Sequence, residues 1–168
     1  DRKTILVLGG GGGSDWINES VAALAGDLTK EWQVLHITGS DKYESVEVEN
    51  PHYAVEPVIH EGMDDAYAIA DLVICRAGLG TMTELAFVGK AAIVIPMPDS
   101  HQEMNAFQLF EHQAAIVMDQ TETTPQILLN TIKTVITDEN SRMRLVANLK
   151  LTFPKDGTEK IAGGVMKL

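Results

Sequence analysis

Cysteine is almost missing from the 168 residues: Cys75 stands alone, so no internal disulfide can form, and its place in an apolar run fits a reducing compartment. Basic residues are scarce too. Thirteen Lys and Arg against 24 Asp and Glu give a formal net charge of -11, and no basic run is present. Neutralising a phosphate backbone needs clustered cations, so no nucleic-acid partner is expected. A phosphate site in such a chain must be built mainly from backbone N–H groups. No apolar run approaches the ~20 residues that cross a bilayer, and Asp1 opens no secretory signal. Repeats, low-complexity segments and long linkers are also absent, which makes residues 1–168 a single domain. The lack of an initiator Met at Asp1 leads to the expectation of a chain cut from something longer.

What is present is an alternation of short apolar runs with amphipathic stretches. Thr4–Leu8, Trp32–Ile37, Ala54–Ile59, Leu72–Cys75, Ala92–Ile95 and Ala115–Met118 read as buried strands. Helices are predicted at Trp16–Lys30, Met63–Ala70, Thr81–Val88 and Gln102–His112, with a weaker one over Ser40–Val48. Beyond the sixth strand the pattern is helical, starting at Pro125 behind Thr124 and continuing near Ser141–Leu149 and Gly157–Met166. Strand alternating with helix predicts an α/β, Rossmann-like, doubly wound parallel sheet of about six strands. Ligands of such sheets lie beyond the carboxyl ends of the strands, so the loops that follow strands matter most.

Three of those loops have unusual composition. Gly9–Gly13 are five consecutive glycines before Ser14, Asp15 and a helical pattern, a side-chain-free turn that lets N–H groups approach a phosphate. A P-loop is excluded because no Lys-Ser or Lys-Thr pair follows. A dinucleotide site, as in a nicotinamide-dependent dehydrogenase, needs an acid at the end of the second strand, where Thr38, Gly39 and Ser40 stand with Asp41 close by. A tight turn capped by Ser14 or Asp15 is the purely structural reading.

The fourth strand runs into Arg76–Glu84, where Gly78 and Gly80 permit a sharp turn and Thr81 or its neighbour opens a helix. Glu84 is expected in the first turn of that helix, either as a capping carboxylate partnered by Thr81 or as a ligand for the vicinal hydroxyls of a ribose. The third loop, Pro96–Ala106, carries His101, Gln102 and Asn105, groups able to read hydroxyl pairs of a polyhydroxylated sugar. Asp99, His101 and Glu103 alternate as a polar loop, and no metal site and no cofactor is expected.

Together these motifs resemble the C-terminal domain of glycosyltransferase family 28. The resemblance rests on the strand, glycine loop and Asn of Ile5–Asn18, the run Ala70–Gly78, Thr81 with Glu84, Gly89-Lys90, Ile95-Pro96, and His101-Gln102 before Asn105-Ala106. It departs from the family pattern at Gly11 and Gly13-Ser14, at Ala91 after Lys90, and in a shorter loop before His101. The resemblance implies one half of a two-domain GT-B enzyme with UDP-N-acetylglucosamine as donor. Gly10, Gly11, Gly12, Gly13 and Ser14 of the glycine loop, with Thr81, would then hold the diphosphate, and Asn18, Gly78 and Gly80 would belong to the same donor site. Glu84 would bind the ribose, the main chain at Ile59 and His60 the uracil edge, and His101, Gln102 and Asn105 the sugar, with Arg76 supporting the nucleotide. It further implies that no catalytic residue lies in this half. A missing N-terminal acceptor domain, or a separate acceptor subunit, would bring the lipid-linked acceptor, lipid I of peptidoglycan synthesis, and hold the enzyme on the cytoplasmic face of the membrane.

Overall fold

The computed structural model describes residues 2–153. Six strands, β1 (Thr4–Leu8), β2 (Gln33–Ile37), β3 (Tyr53–Glu56), β4 (Leu72–Cys75), β5 (Ala92–Val94) and β6 (Ile116–Val117), form one parallel sheet in the order β3-β2-β1-β4-β5-β6. The doubly wound α/β fold expected from the sequence is therefore the fold observed. Every residue of β1 and β4 is buried, because these central strands are covered on both faces.

The covering layers follow from side-chain alternation along the strands. Ile5 and Val7 pack with Ile17, Val21 and Leu28 of helices α1 (Asp15–Ala23) and α2 (Ala25–Leu28), and with Leu128, Ile132 and Ile136 of α6 (Pro125–Thr137). Leu6 and Leu8 pack in a second cluster with Tyr67 of α3 (Met63–Ile69), Leu85 of α4 (Leu79–Val88) and Leu109 of α5 (Gln102–Glu111). The last helix, α7 (Glu139–Thr152), gives Leu145 to the first cluster and Leu149 to the second. Each fully buried side chain of this size contributes about 1.5–3 kcal/mol of transfer free energy.

Several elements differ from the sequence expectation. The helix expected at Trp16–Lys30 breaks at Leu24 into α1 and α2. The third strand stops at Glu56 because Pro57 has no N–H to donate, although its carbonyl still accepts from Gly39 N (2.9 Å). Ser40–Ser45 form a 3-10 helix. The start of α6 is as expected: Thr124 Oγ1 accepts from Ile127 N (3.3 Å) and Pro125 is the first helical residue. The helix expected at Gly157–Met166 lies outside the described residues.

Candidate functional site

Strand order reverses between β1 and β4, whose last residues, Leu8 and Cys75, pair in register. The glycine loop and the Arg76–Gly80 loop therefore leave the sheet side by side at the switch point, and a cleft of about 630 Å³ opens between them. Gly9 to Gly13, Ser14, Arg76, Gly78, Gly80, Thr81 and Gln102 line it. A shoulder of about 230 Å³ shares Gly10, Gly11 and Thr81 and extends toward the ends of β2 and β3, lined by Ile37, Pro57, Ile59, Tyr67 and Glu84.

The glycines play two different parts. At Gly13, with φ +69°, an added Cβ would stand 2.0 Å from the Thr38 carbonyl oxygen, and at Gly9 it would stand 2.3 Å from Ser14 N. These two positions are closed by their own backbone neighbours. At Gly11 and Gly12 an added Cβ meets nothing within 4 Å, so their backbone is the part a ligand can approach. Ser14 Oγ accepts from Ile17 N (3.4 Å) and caps α1, the structural role the sequence allowed for it.

Helix α4 begins at Leu79, two residues earlier than expected, with Gly78 as a cap that supplies no side-chain hydrogen bond. Its first N–H groups are left without an intrahelical partner at the cleft. The early start also moves Glu84 out of the first turn, so the Thr81–Glu84 capping pair does not form. Glu84 instead accepts a hydrogen bond from the Tyr67 hydroxyl at 2.8 Å. Burial, and then that hydrogen bond to Glu84, push the Tyr67 phenol above its ordinary range, so it stays a donor.

Other expected residues brace the site from behind. Asn18 is 1% exposed. Its Nδ2 donates to Thr38 O (3.0 Å) and its Oδ1 meets His36 Nε2 (3.0 Å), so both ends of this side chain, expected in the donor site, are engaged within the protein. His36 Nδ1 in turn meets the Tyr53 hydroxyl (2.7 Å), and burial lowers the imidazole pKa to about 4. Asn105 is likewise turned to the protein, donating from Nδ2 to Ala77 O at 2.9 Å and so tying α5 to the Arg76–Gly80 loop. Arg76 reaches across to the end of β5, donating to Ile95 O (3.1 Å) and Pro96 O (2.9 Å). Gln102 Oε1 accepts from Met97 N (3.1 Å). His60 and His101 are exposed beside Ile59 and Gln102 and line neither cavity.

Three contributors carry no signal in the sequence. Tyr67 holds Glu84. Lys42, from the 3-10 helix, pairs with Asp15 at 2.8 Å, and both line the cleft wall as an ion pair. Gln120, just past β6, lines the same cleft. None of the three sits in a motif; they reach the site only through tertiary packing. No group of three or more His, Cys, Asp or Glu among the described residues could hold a metal, and the Glu103 carboxylate accepts from Asp99 N (3.2 Å) within its own loop.

The end of β2 offers the Thr38 hydroxyl, buried and directed at the Gly39 and Glu56 carbonyls (3.4 Å each). A dinucleotide site needs a carboxylate at that place.

Comparison with known proteins bears on the family and the fold. The glycosyltransferase family 28 C-terminal domain pattern matches residues 4–161. The chain is 35% identical, over its whole length, to 48% of a UDP-N-acetylglucosamine--N-acetylmuramyl-(pentapeptide) pyrophosphoryl-undecaprenol N-acetylglucosamine transferase of Nocardioides sp.. It is 36% identical, over 97% of its length, to 45% of the same-named protein of Corynebacterium efficiens. The chain thus spans about half the length of the curated relatives it matches. Among solved structures, Acinetobacter baumannii MurG superposes with a TM-score of 0.79 at 28% identity, covering the whole chain and 50% of that protein. The kitacinnamycin glycosyltransferase shares the fold, with a TM-score of 0.80 at 20% identity over 99% of this chain and 43% of its own. The chain belongs to glycosyltransferase family 28, as a C-terminal domain of that family.

Proposed function

We propose that this chain binds UDP-N-acetylglucosamine as the donor half of an inverting N-acetylglucosaminyltransferase that acts on a lipid-linked muropeptide acceptor. The observation that carries the reading is the junction at the switch point. An open glycine backbone and an uncapped helix start face one cleft, and a shoulder beside it holds the Tyr67-anchored Glu84. The names of relatives 35% and 36% identical support the choice of donor and acceptor.

In this reading the N–H groups of Gly10 to Gly12 and of the first turn of α4 bind the diphosphate, with Arg76 and the Lys42–Asp15 ion pair at the wall. Glu84 accepts from the ribose hydroxyls, the main chain at Ile59 and His60 meets the uracil edge, and Gln102 with its neighbour His101 meets the sugar. When an acceptor hydroxyl attacks the anomeric carbon, the bond to the diphosphate breaks and charge grows on the departing phosphate oxygen. Fixed N–H dipoles stabilise that charge without reorganising. The acceptor site and general base fall to the part of the relatives that this chain does not span, as does attachment to the membrane. No described helix is long and apolar enough to cross one.

Calorimetric titration with UDP, UDP-N-acetylglucosamine and NAD tests the proposal. Saturable binding of both uridine nucleotides at one shared site is expected. Binding of NAD without UDP would overturn it.

A further inference from the structure

Beyond β6 the chain makes a tightly held turn. Asp119 Oδ1 accepts from Thr121 N and Thr121 Oγ1, both at 2.7 Å, and Asp119 O accepts from Thr123 N at 3.0 Å and Thr123 Oγ1 at 2.5 Å. Met118 N donates to Val94 O (3.0 Å), which fastens the entry of this turn to the sheet. Gln120 is clamped between these anchors and lines the large cleft. Its Oε1 is, among the described residues, the one buried side-chain polar atom without a hydrogen-bond partner. Buried acceptors are nearly always paired, so one left unpaired in a rigid turn beside a ligand cleft calls for an explanation.

Strand order says which end of a ligand lies near Gln120. The shoulder with Glu84 lies toward β2 and β3, the glycine loop and the start of α4 lie at the centre, and Gln102 and Gln120 follow β5 and β6 on the far side. A ligand with its nucleoside in the shoulder and its diphosphate on the glycine loop therefore extends its sugar toward Gln120. Chemistry narrows this further. A diphosphate offers only acceptor oxygens, whereas Oε1 needs a donor, and a sugar supplies O–H and N–H groups. The terminal torsion of a Gln amide is broad, so the group can swing toward an arriving donor at little cost.

We infer that Gln120 reads the sugar: on binding of a nucleotide sugar its side-chain amide pairs with a hydroxyl or acetamido N–H beyond the diphosphate. This rests on the nucleotide-sugar function proposed above.

The test compares affinities for UDP-N-acetylglucosamine, UDP-glucose and UDP in the wild type, Gln120→Leu and Gln120→Glu. The expected result is a loss of about fivefold to tenfold for the sugar nucleotides in Gln120→Leu, with UDP unchanged within about twofold, the scale of one hydrogen bond. Gln120→Glu keeps an acceptor, so it should keep the ratio of sugar nucleotide to UDP affinity even where its charge weakens both. A loss confined to UDP-N-acetylglucosamine identifies the acetamido N–H as the donor, and an equal loss for UDP-glucose identifies a hydroxyl. A purely structural role lowers the binding-competent fraction for every ligand alike and leaves the ratio intact. An unchanged ratio in Gln120→Leu, or a wild type that binds UDP and its sugar derivatives equally, overturns the inference while leaving the nucleotide site standing. A wild type that binds none of the three removes the proposed function as well.

Discussion

At the scale of single residues, Glu84 shows how a side chain can be held without being consumed. One carboxylate oxygen accepts from Tyr67 and the residue remains exposed at the shoulder. Glu84→Ala should weaken UDP binding by ~1–3 kcal/mol, the scale for losing hydrogen bonds to a charged group. Tyr67→Phe, which removes only the anchor, should weaken it less; calorimetry on both folded variants checks the order, and equal losses would make the phenol itself a ligand group. His36 carries a different consequence. Its folded pKa of about 4 lies below the unfolded value near 6.5, so the unfolded chain takes up the proton first. Stability is unaffected by this group above about pH 6.5 and falls as pH drops from there toward 4, by ~3 kcal/mol at full protonation. Denaturant melts of the wild type and His36→Gln between pH 7 and pH 4 should show the shallower acid loss in the variant.

At the scale of elements, the glycine loop divides into a packed floor and an open rim. Gly13→Ala meets both a left-handed φ and the Thr38 carbonyl, and should cost more than about 2 kcal/mol of stability. Gly12→Ala has room in the free protein, so it should melt within about 0.5 kcal/mol of wild type yet weaken UDP binding, because the methyl stands where a ligand approaches. Paired melts and titrations separate the two effects. The sequence made the strands legible because fully buried parallel strands leave unbroken apolar runs, and Thr4–Leu8 and Leu72–Cys75 were placed to the residue. It misplaced the start of α4, since Thr81 has the better capping side chain while the chain turns helical at Leu79, behind an extended Gly78. Asn18 sits in the glycine-loop motif but points into the His36 network, and the motif cannot reveal which way it faces.

At the scale of the whole molecule, all lining loops belong to one sheet and its covering helices, so occupancy of the cleft should stabilise the domain as a unit. At a UDP concentration 100 times its dissociation constant, linkage adds ~2.7 kcal/mol. For a domain of this size that corresponds to a rise in Tm of roughly 5–10 °C. Thermal melts with and without UDP check this, and Gly12→Ala should lose most of the rise. Sequence order alone could not reveal Gln120 or Lys42, since both arrive at the cleft from segments far from its motifs. The contact of Gly13 with Thr38 and Gly39 has an implication for anyone seeking to retarget this domain. Because main chain meets main chain there, the floor has no side chain to exchange, and a library directed at it would mostly yield unfolded protein. Under the function proposed above, new ligand preferences would be written on the side chains around the cleft and its shoulder, at Glu84, Gln102 and Gln120, over a foundation that stays the same whichever sugar is chosen.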